Sequence, residues 1–179
     1  MKTFWVMLMF TVLSLFPAQA QEFHLTASSL QAAFETTPTI AKSLTALQTL
    51  FGNLEPGFAG SQISKRLLVW AIPWMGASVL GLWLSNSDSQ KGFWGMSGAW
   101  GFVNGAIALI GLLGAETNDY AALRNTLWIN AGLDVLYVAS GLYLMSRSEE
   151  AWRGGGTAIL VQGGFLLVFD VLHALLVPV

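Results

Sequence analysis

The sequence predicts an all-α fold, a bundle of four transmembrane helices, on three observations. Apolar residues make up 54% of the chain. Only 10% of its residues are Asp, Glu, Lys or Arg, against roughly 25% in an ordinary soluble domain, which leaves too little charge to solvate a surface. Four apolar runs follow one another at about 66–85, 93–114, 124–145 and 157–177, and each reaches the ~20 residues that a helix needs to cross the hydrocarbon core. Lipid offers the backbone no hydrogen-bond partners, so such runs must be helices.

Taken in order, the chain begins with signal-peptide anatomy over 1–20. Lys2 is a short positive region, residues 4–16 are an apolar stretch too short to span comfortably, and Pro17 breaks it. Ala18 and Ala20 then supply the small residues of a cleavage site before Gln21. Residues 21–64 are more polar and are expected to be an exported amphipathic helical segment. Ser28 with Gln31 is a capping-box-like pair. Thr37 followed by Pro38 is a second helix start, from which Ile40, Leu44, Leu47, Phe51 and Leu54 form one apolar stripe. Gly52, Asn53, Pro56 and Gly57 stop that helix.

The four-span domain occupies 65–179. Its connectors are short and carry the charges: Asp88 and Lys91, then Glu116 and Asp119, then Arg147, Glu149, Glu150 and Arg153. Connectors this short make each helix antiparallel to the next, in an up-down order. The glycines at 154–156 read as part of the last connector. Export of residues 21–64 puts the mature N-terminus outside a bacterial inner (cytoplasmic) membrane, with the 86–92 and 146–156 connectors inside. Lys and Arg flank the spans on both sides and do not decide the orientation. Trp70, Trp74 and Trp128 fall near outer span ends, and Trp83, Trp94 and Trp152 near inner ends, as two aromatic belts.

Several function classes have nothing to rest on. A net charge of -2 without a basic stripe argues against nucleic-acid binding. The chain has no cysteine, which removes disulfides, thiolate nucleophiles and Cys-ligated metals. Membrane b-type haem usually takes two histidines, and His173 is the one histidine within a span, His24 belonging to the exported segment. One His and two Asp on different turns match no zinc spacing. Ser97 and Ser140 lack a nucleophile elbow. No catalytic set, metal or cofactor is therefore assigned.

The informative residues are polar ones inside the spans. Ser97, Gly101, Asn104, Ala108 and Gly111 share one face of the second span, and Gly101 with Gly105 is a small-xxx-small pair that admits another helix closely. Asn130, Asp134, Tyr137 and Gly141 share a face of the third, with Asp134 close to the bilayer midplane. Gln162, Leu166, Asp170 and His173 share a face of the fourth, with Asp170 a few ångströms outward of centre. The first span offers only Ser78 and small residues and is expected outside this cluster. A central Asp costs on the order of 2.5–3.5 kcal/mol on insertion scales. Both Asp residues must therefore face the bundle interior. No Lys or Arg is read inside a span, so the expected partners are Asn104, Asn130, Gln162, Tyr137, His173 and the indole of Trp100.

The segments WGFVNGAIALIGL (100–112), INAGLDVLYVASGLYL (129–144) and ILVQGGFLLVFD (159–170) make the chain from Trp70 onward resemble an uncharacterised family of small bacterial four-span membrane proteins, a domain of unknown function. The resemblance implies the four-span fold and places Asn104, Asn130, Asp134, Gln162 and Asp170 at the family's polar positions. His173 lies beyond the matching part. It implies no reaction. Three readings stay open: a polar core that stabilises the bundle or binds a small ligand, a proton-coupled transporter using Asp134 and Asp170 with His173 as relay, and a membrane anchor or accessory subunit docking through 21–64. The expected partners are the lipid bilayer and either a second copy or a membrane-complex subunit.

Overall fold

The computed structural model describes Leu54, residues 57–114 and residues 119–177. The signal peptide and nearly all of the amphipathic segment lie outside the described residues. Within them the chain is helical: α1 Ala59–Leu84, α2 Asp88–Leu113, α3 Tyr120–Met145 and α4 Glu150–Leu176. All four are long and apolar enough to cross a membrane.

Each helix starts earlier than its apolar run, and two of the four starts are capped by a polar side chain. Ser87 accepts from the backbone N–H of Gln90 at the start of α2 (3.3 Å), and Asp119 accepts from that of Ala122 at the start of α3 (2.9 Å). These side chains satisfy N–H groups that have no intrahelical acceptor. The largest shift is in α4. Gly154, Gly155 and Gly156 are buried residues of its first turns, not a connector. Three consecutive glycines read as loop because glycine costs about 1 kcal/mol against alanine in a helix. Here close packing outweighs that cost.

The packing explains them. A methyl group on Gly154 would run into the backbone of Ser89 and Phe93 in α2, and one on Gly92 would meet the backbone of Ala151. A methyl group on Gly156 would stand 2.7 Å from Gly141 O and Met145 N, and one on Gly141 would stand 2.8 Å from Leu160 N. Gly163 similarly faces Tyr137 and Val138. Thus α4 lies backbone-close to both α2 and α3. More than half of its most apolar stretch is buried, against a third or less in the other helices. α1 packs on α2, with Gly111 against Ser64, Gly101 against Ala71 and Met75, and Gly81 against Trp94. Gly101 and Gly105 thus admit α1, as their spacing predicts.

The outward faces carry large apolar side chains such as Val69, Val79, Trp83, Ile110 and Val168. Trp128 is not among them. It is 2% exposed and belongs to the core with Leu127, Phe169 and Leu172, so it cannot serve in an aromatic belt. At the same end, Leu54 is buried, and Gly57 donates its N–H to the Tyr120 hydroxyl (2.6 Å).

Adding a side chain at the close crossings is therefore expected to loosen the bundle. Gly154→Ala and Gly141→Ala should each lose about 1–3 kcal/mol, the usual cost of overpacking a core. Gly164, with nothing within 4 Å of an added methyl, is the control: Gly164→Ala should be neutral or stabilising by up to about 1 kcal/mol. Thermal unfolding midpoints in one detergent check the ranking.

Candidate functional site

The buried polar side chains gather around α4. Gln162 stands at the middle of that helix, Asp170 about two turns further, and His173 in the last turn. All three lie on one face and are at most 7% exposed. Each meets a different partner on another helix.

Gln162 is met by α1. The indole N–H of Trp70 donates to Gln162 Oε1 at 2.9 Å. The Trp70 ring stacks on Phe165, with centroids 3.7 Å apart and planes 8° from parallel. An indole N–H can only donate, so the amide oxygen accepts this bond and Gln162 Nε2 is left as a donor.

Asp170 is met by α3. Its carboxyl and that of Asp134 lie against each other, near enough to interact side chain to side chain. Both are buried, Asp134 to 3% exposure and Asp170 to 7%. Here the structure brings two of the predicted residues together. The backbone geometry permits it because Gly141, Gly156 and Gly163 draw α3 and α4 within reach of short side chains.

His173 is met by α1 again. Its Nε2 lies 3.1 Å from Arg66 Nη1, and its Nδ1 lies 2.7 Å from the carbonyl oxygen of Phe169. Neither ring nitrogen is directed to Asp170. His173, an expected hydrogen-bond partner of the Asp residues, therefore pairs with Arg66 and the Phe169 carbonyl instead.

Two expectations about α1 are overturned. It is not outside the cluster, since Trp70 and Arg66 both reach α4. An arginine does lie within a span, because α1 starts at Ala59 and places Arg66 two turns inside it. Arg66 stands at the very start of the apolar run at about 66–85 and so reads as flanking the span. The cue was Pro56–Gly57, a helix stop that also marks where the next helix can start; Gly57 has φ +82°, open to glycine at little cost.

The remaining candidates are less engaged. Asn104 and Ser97 on α2 are buried, at 2% and 0% exposure. Asn104 makes no side-chain hydrogen bond among the described residues, and Asn104 Nδ2, Ser97 Oγ, Ser78 Oγ, Gln162 Nε2 and Asp134 Oδ2 all lack a hydrogen-bond partner. Asn130 and Tyr137 are half-buried. Tyr137 meets the ring of Trp100 edge-on, with centroids 4.7 Å apart, so Trp100 contributes packing to the cluster. No group of three or more His, Asp or Glu that could hold a metal occurs among the described residues. The unpaired atoms are N–H and O–H groups, which can donate to an acceptor, together with a carboxyl oxygen of Asp134, which can accept a hydrogen bond or carry a proton.

With the geometry in hand, residues 66–171 match DUF6992, a family of unknown function, and the match covers more than half of the 179-residue chain. No curated protein and no solved structure matches it. The chain belongs to the DUF6992 family. The matched segment holds every polar residue described above except His173.

The Trp70–Gln162 contact yields a direct test. Trp70→Phe removes the donor and leaves a buried amide oxygen unpaired, at an expected cost of about 1–3 kcal/mol. In that background Gln162→Leu should cost less than in the wild type. The coupling is expected at about 0.6 kcal/mol and up to about 1.7, the range for hydrogen bonds between membrane helices. A double-mutant cycle on unfolding free energies measures it; a coupling of zero removes the contact from the account of stability.

Proposed function

We propose that this DUF6992 member is a multi-pass protein of the bacterial cytoplasmic membrane, running up and down through it with the mature N-terminus outside, and that its polar core is an internal lock that binds a proton. Export follows from the signal-peptide anatomy of residues 1–20. The alternating directions are supported by helix contacts whose numbering runs in opposite senses: Ser64 with Gly111 and Gly81 with Trp94, then Gly141 with Leu160 and Gly163 with Tyr137.

The observation that carries the proposal is the Asp134–Asp170 pair inside a closed core. Two carboxylates have acceptors only, and in an apolar interior their repulsion is barely screened. One shared proton converts the pair into a hydrogen bond between α3 and α4. The surrounding polar atoms are nearly inaccessible, with Gln162 at 0% and Asn104 at 2% exposure. The core can therefore take up a proton without repacking, whereas a larger ligand would have to move side chains. In lipid, where helices gain nothing from hiding apolar faces from one another, such bonds select one packing among many.

Infrared spectroscopy of the reconstituted protein tests this. A protonated carboxylic-acid band is expected at pH 7; it should shift in Asp134→Asn and in Asp170→Asn, which each leave one carboxyl in the same apolar core, and vanish when both are replaced. Its absence from the wild type sinks the shared proton.

A second reading, proton-coupled transport with Asp134 and Asp170 as carriers, is favoured by the buried atoms left over. Asp134 Oδ2, Asn104 Nδ2 and Gln162 Nε2 come from three helices, and none has a hydrogen-bond partner among the described residues. A rearranged core could offer them to a polar substrate. In proteoliposomes, proton flux should then exceed that of empty vesicles and be abolished by either Asp→Asn change while the protein stays folded. Flux unaltered by both changes rules this reading out.

A further inference from the structure

The contacts of His173 determine where its proton sits. Nδ1 lies 2.7 Å from the Phe169 carbonyl, and a carbonyl oxygen only accepts, so Nδ1 carries a hydrogen. Nε2 lies 3.1 Å from Arg66 Nη1, and a guanidinium only donates, so Nε2 presents its lone pair. The ring is thus the neutral Nδ1–H form. A second proton would have to go on Nε2, where it removes the acceptor and sets an imidazolium against a guanidinium.

We propose that the Arg66–His173 contact is a proton-released latch, closed while His173 is neutral and opened when it is protonated, so that α1 swings away from α4. This stands apart from the carboxyl pair and does not depend on it. Three features support it. First, the α1–α4 seam is the one that can part: α4 meets α2 and α3, and α1 meets α2, at glycines, whereas α1 meets α4 through the long side chains of Arg66 and Trp70. Second, the latch lies near one end of the bundle, in the last turn of α4, with Arg66 half-buried, so protons need not cross the closed centre. On the orientation proposed above, that end faces outward. Third, histidine is the side chain that changes charge in the physiological pH range.

The charged groups on the surrounding elements are Lys65 and Arg66 of α1, Arg124 and Asp134 of α3 and Asp170 of α4, with Asp88 and Lys91 of α2 and Glu150 and Arg153 of α4 near the starts of those helices. Only Arg66 contacts the imidazole nitrogens among these.

The absence of native cysteine makes a distance measurement simple. Val69→Cys and Val168→Cys, both lipid-facing, are spin-labelled in the full chain in nanodiscs. One narrow distance is expected at about pH 8, joined by a longer one that becomes the major population by about pH 5, the range in which histidine titrates. His173→Gln keeps an acceptor for Arg66 and does not titrate, so it should hold the short distance at both pH values. Arg66→Met should show the long distance already at high pH. Ring 15N shifts in a His24→Gln background should report a hydrogen on Nδ1 at high pH. The proposal is overturned by a wild-type distance that does not respond to pH, by the same response in His173→Gln, by the opposite tautomer, or by loss of helical content over the same pH range. If His173→Gln does not fold, the wild-type titration and Arg66→Met decide.

Discussion

Backbone-to-backbone contact around α4 is the constraint on which the rest of this structure depends. Helices in lipid gain nothing from removing apolar surface from water, so their association rests on close packing and on hydrogen bonds. Gly92 and Gly154 bring α2 against α4, and Gly141, Gly156 and Gly163 bring α3 against it. Side chains larger than hydrogen at these points would hold the helices apart. The three-glycine run at the start of α4 serves two neighbours at once, Gly154 facing α2 and Gly156 facing α3.

The polar core follows from that arrangement. Because α4 is enclosed, one of its faces can carry Gln162, Asp170 and His173 without exposing them to lipid. Because α3 is drawn in, Asp134 reaches Asp170. The space toward α1 is wider, and it is bridged by residues long enough to cross it. Trp70 spans it with a stacked ring and one hydrogen bond, and Arg66 spans it with a guanidinium. Short polar side chains thus work where glycine brings the helices together, and long ones where it does not.

These contacts leave an uneven set of polar atoms. The Gln162 oxygen and both His173 nitrogens are engaged, while Asn104 Nδ2 and Gln162 Nε2 are buried with no hydrogen-bond partner among the described residues. A buried polar atom without a hydrogen bond costs about 1–3 kcal/mol. A bundle held by hydrogen bonding alone would be expected to pair these atoms, and their presence gives the transport reading its support. The closure of the same region is what favours a proton over anything larger.

Much of this was legible along the chain. Apolar length alone implies four helices, since unpaired backbone groups cannot lie in lipid. Helical spacing placed Asn104, Asp134, Gln162 and Asp170 inward, because exposing such groups to hydrocarbon costs more than burying them among polar neighbours. Three things were decided only by tertiary structure. Helix starts were one: all four helices extend beyond their apolar runs, which brings Arg66 into α1 and Gly154–156 into α4. Partner choice was another. One-dimensional spacing says which residues share a face but not which helix that face meets, so Trp70 with Gln162 and Arg66 with His173 could not be read from it. The last was separation, since glycine's effect on distance depends on what stands opposite. Periodicity is a property of one helix, and it determined what is buried; pairing belongs to two helices in contact, and the fold alone decided it.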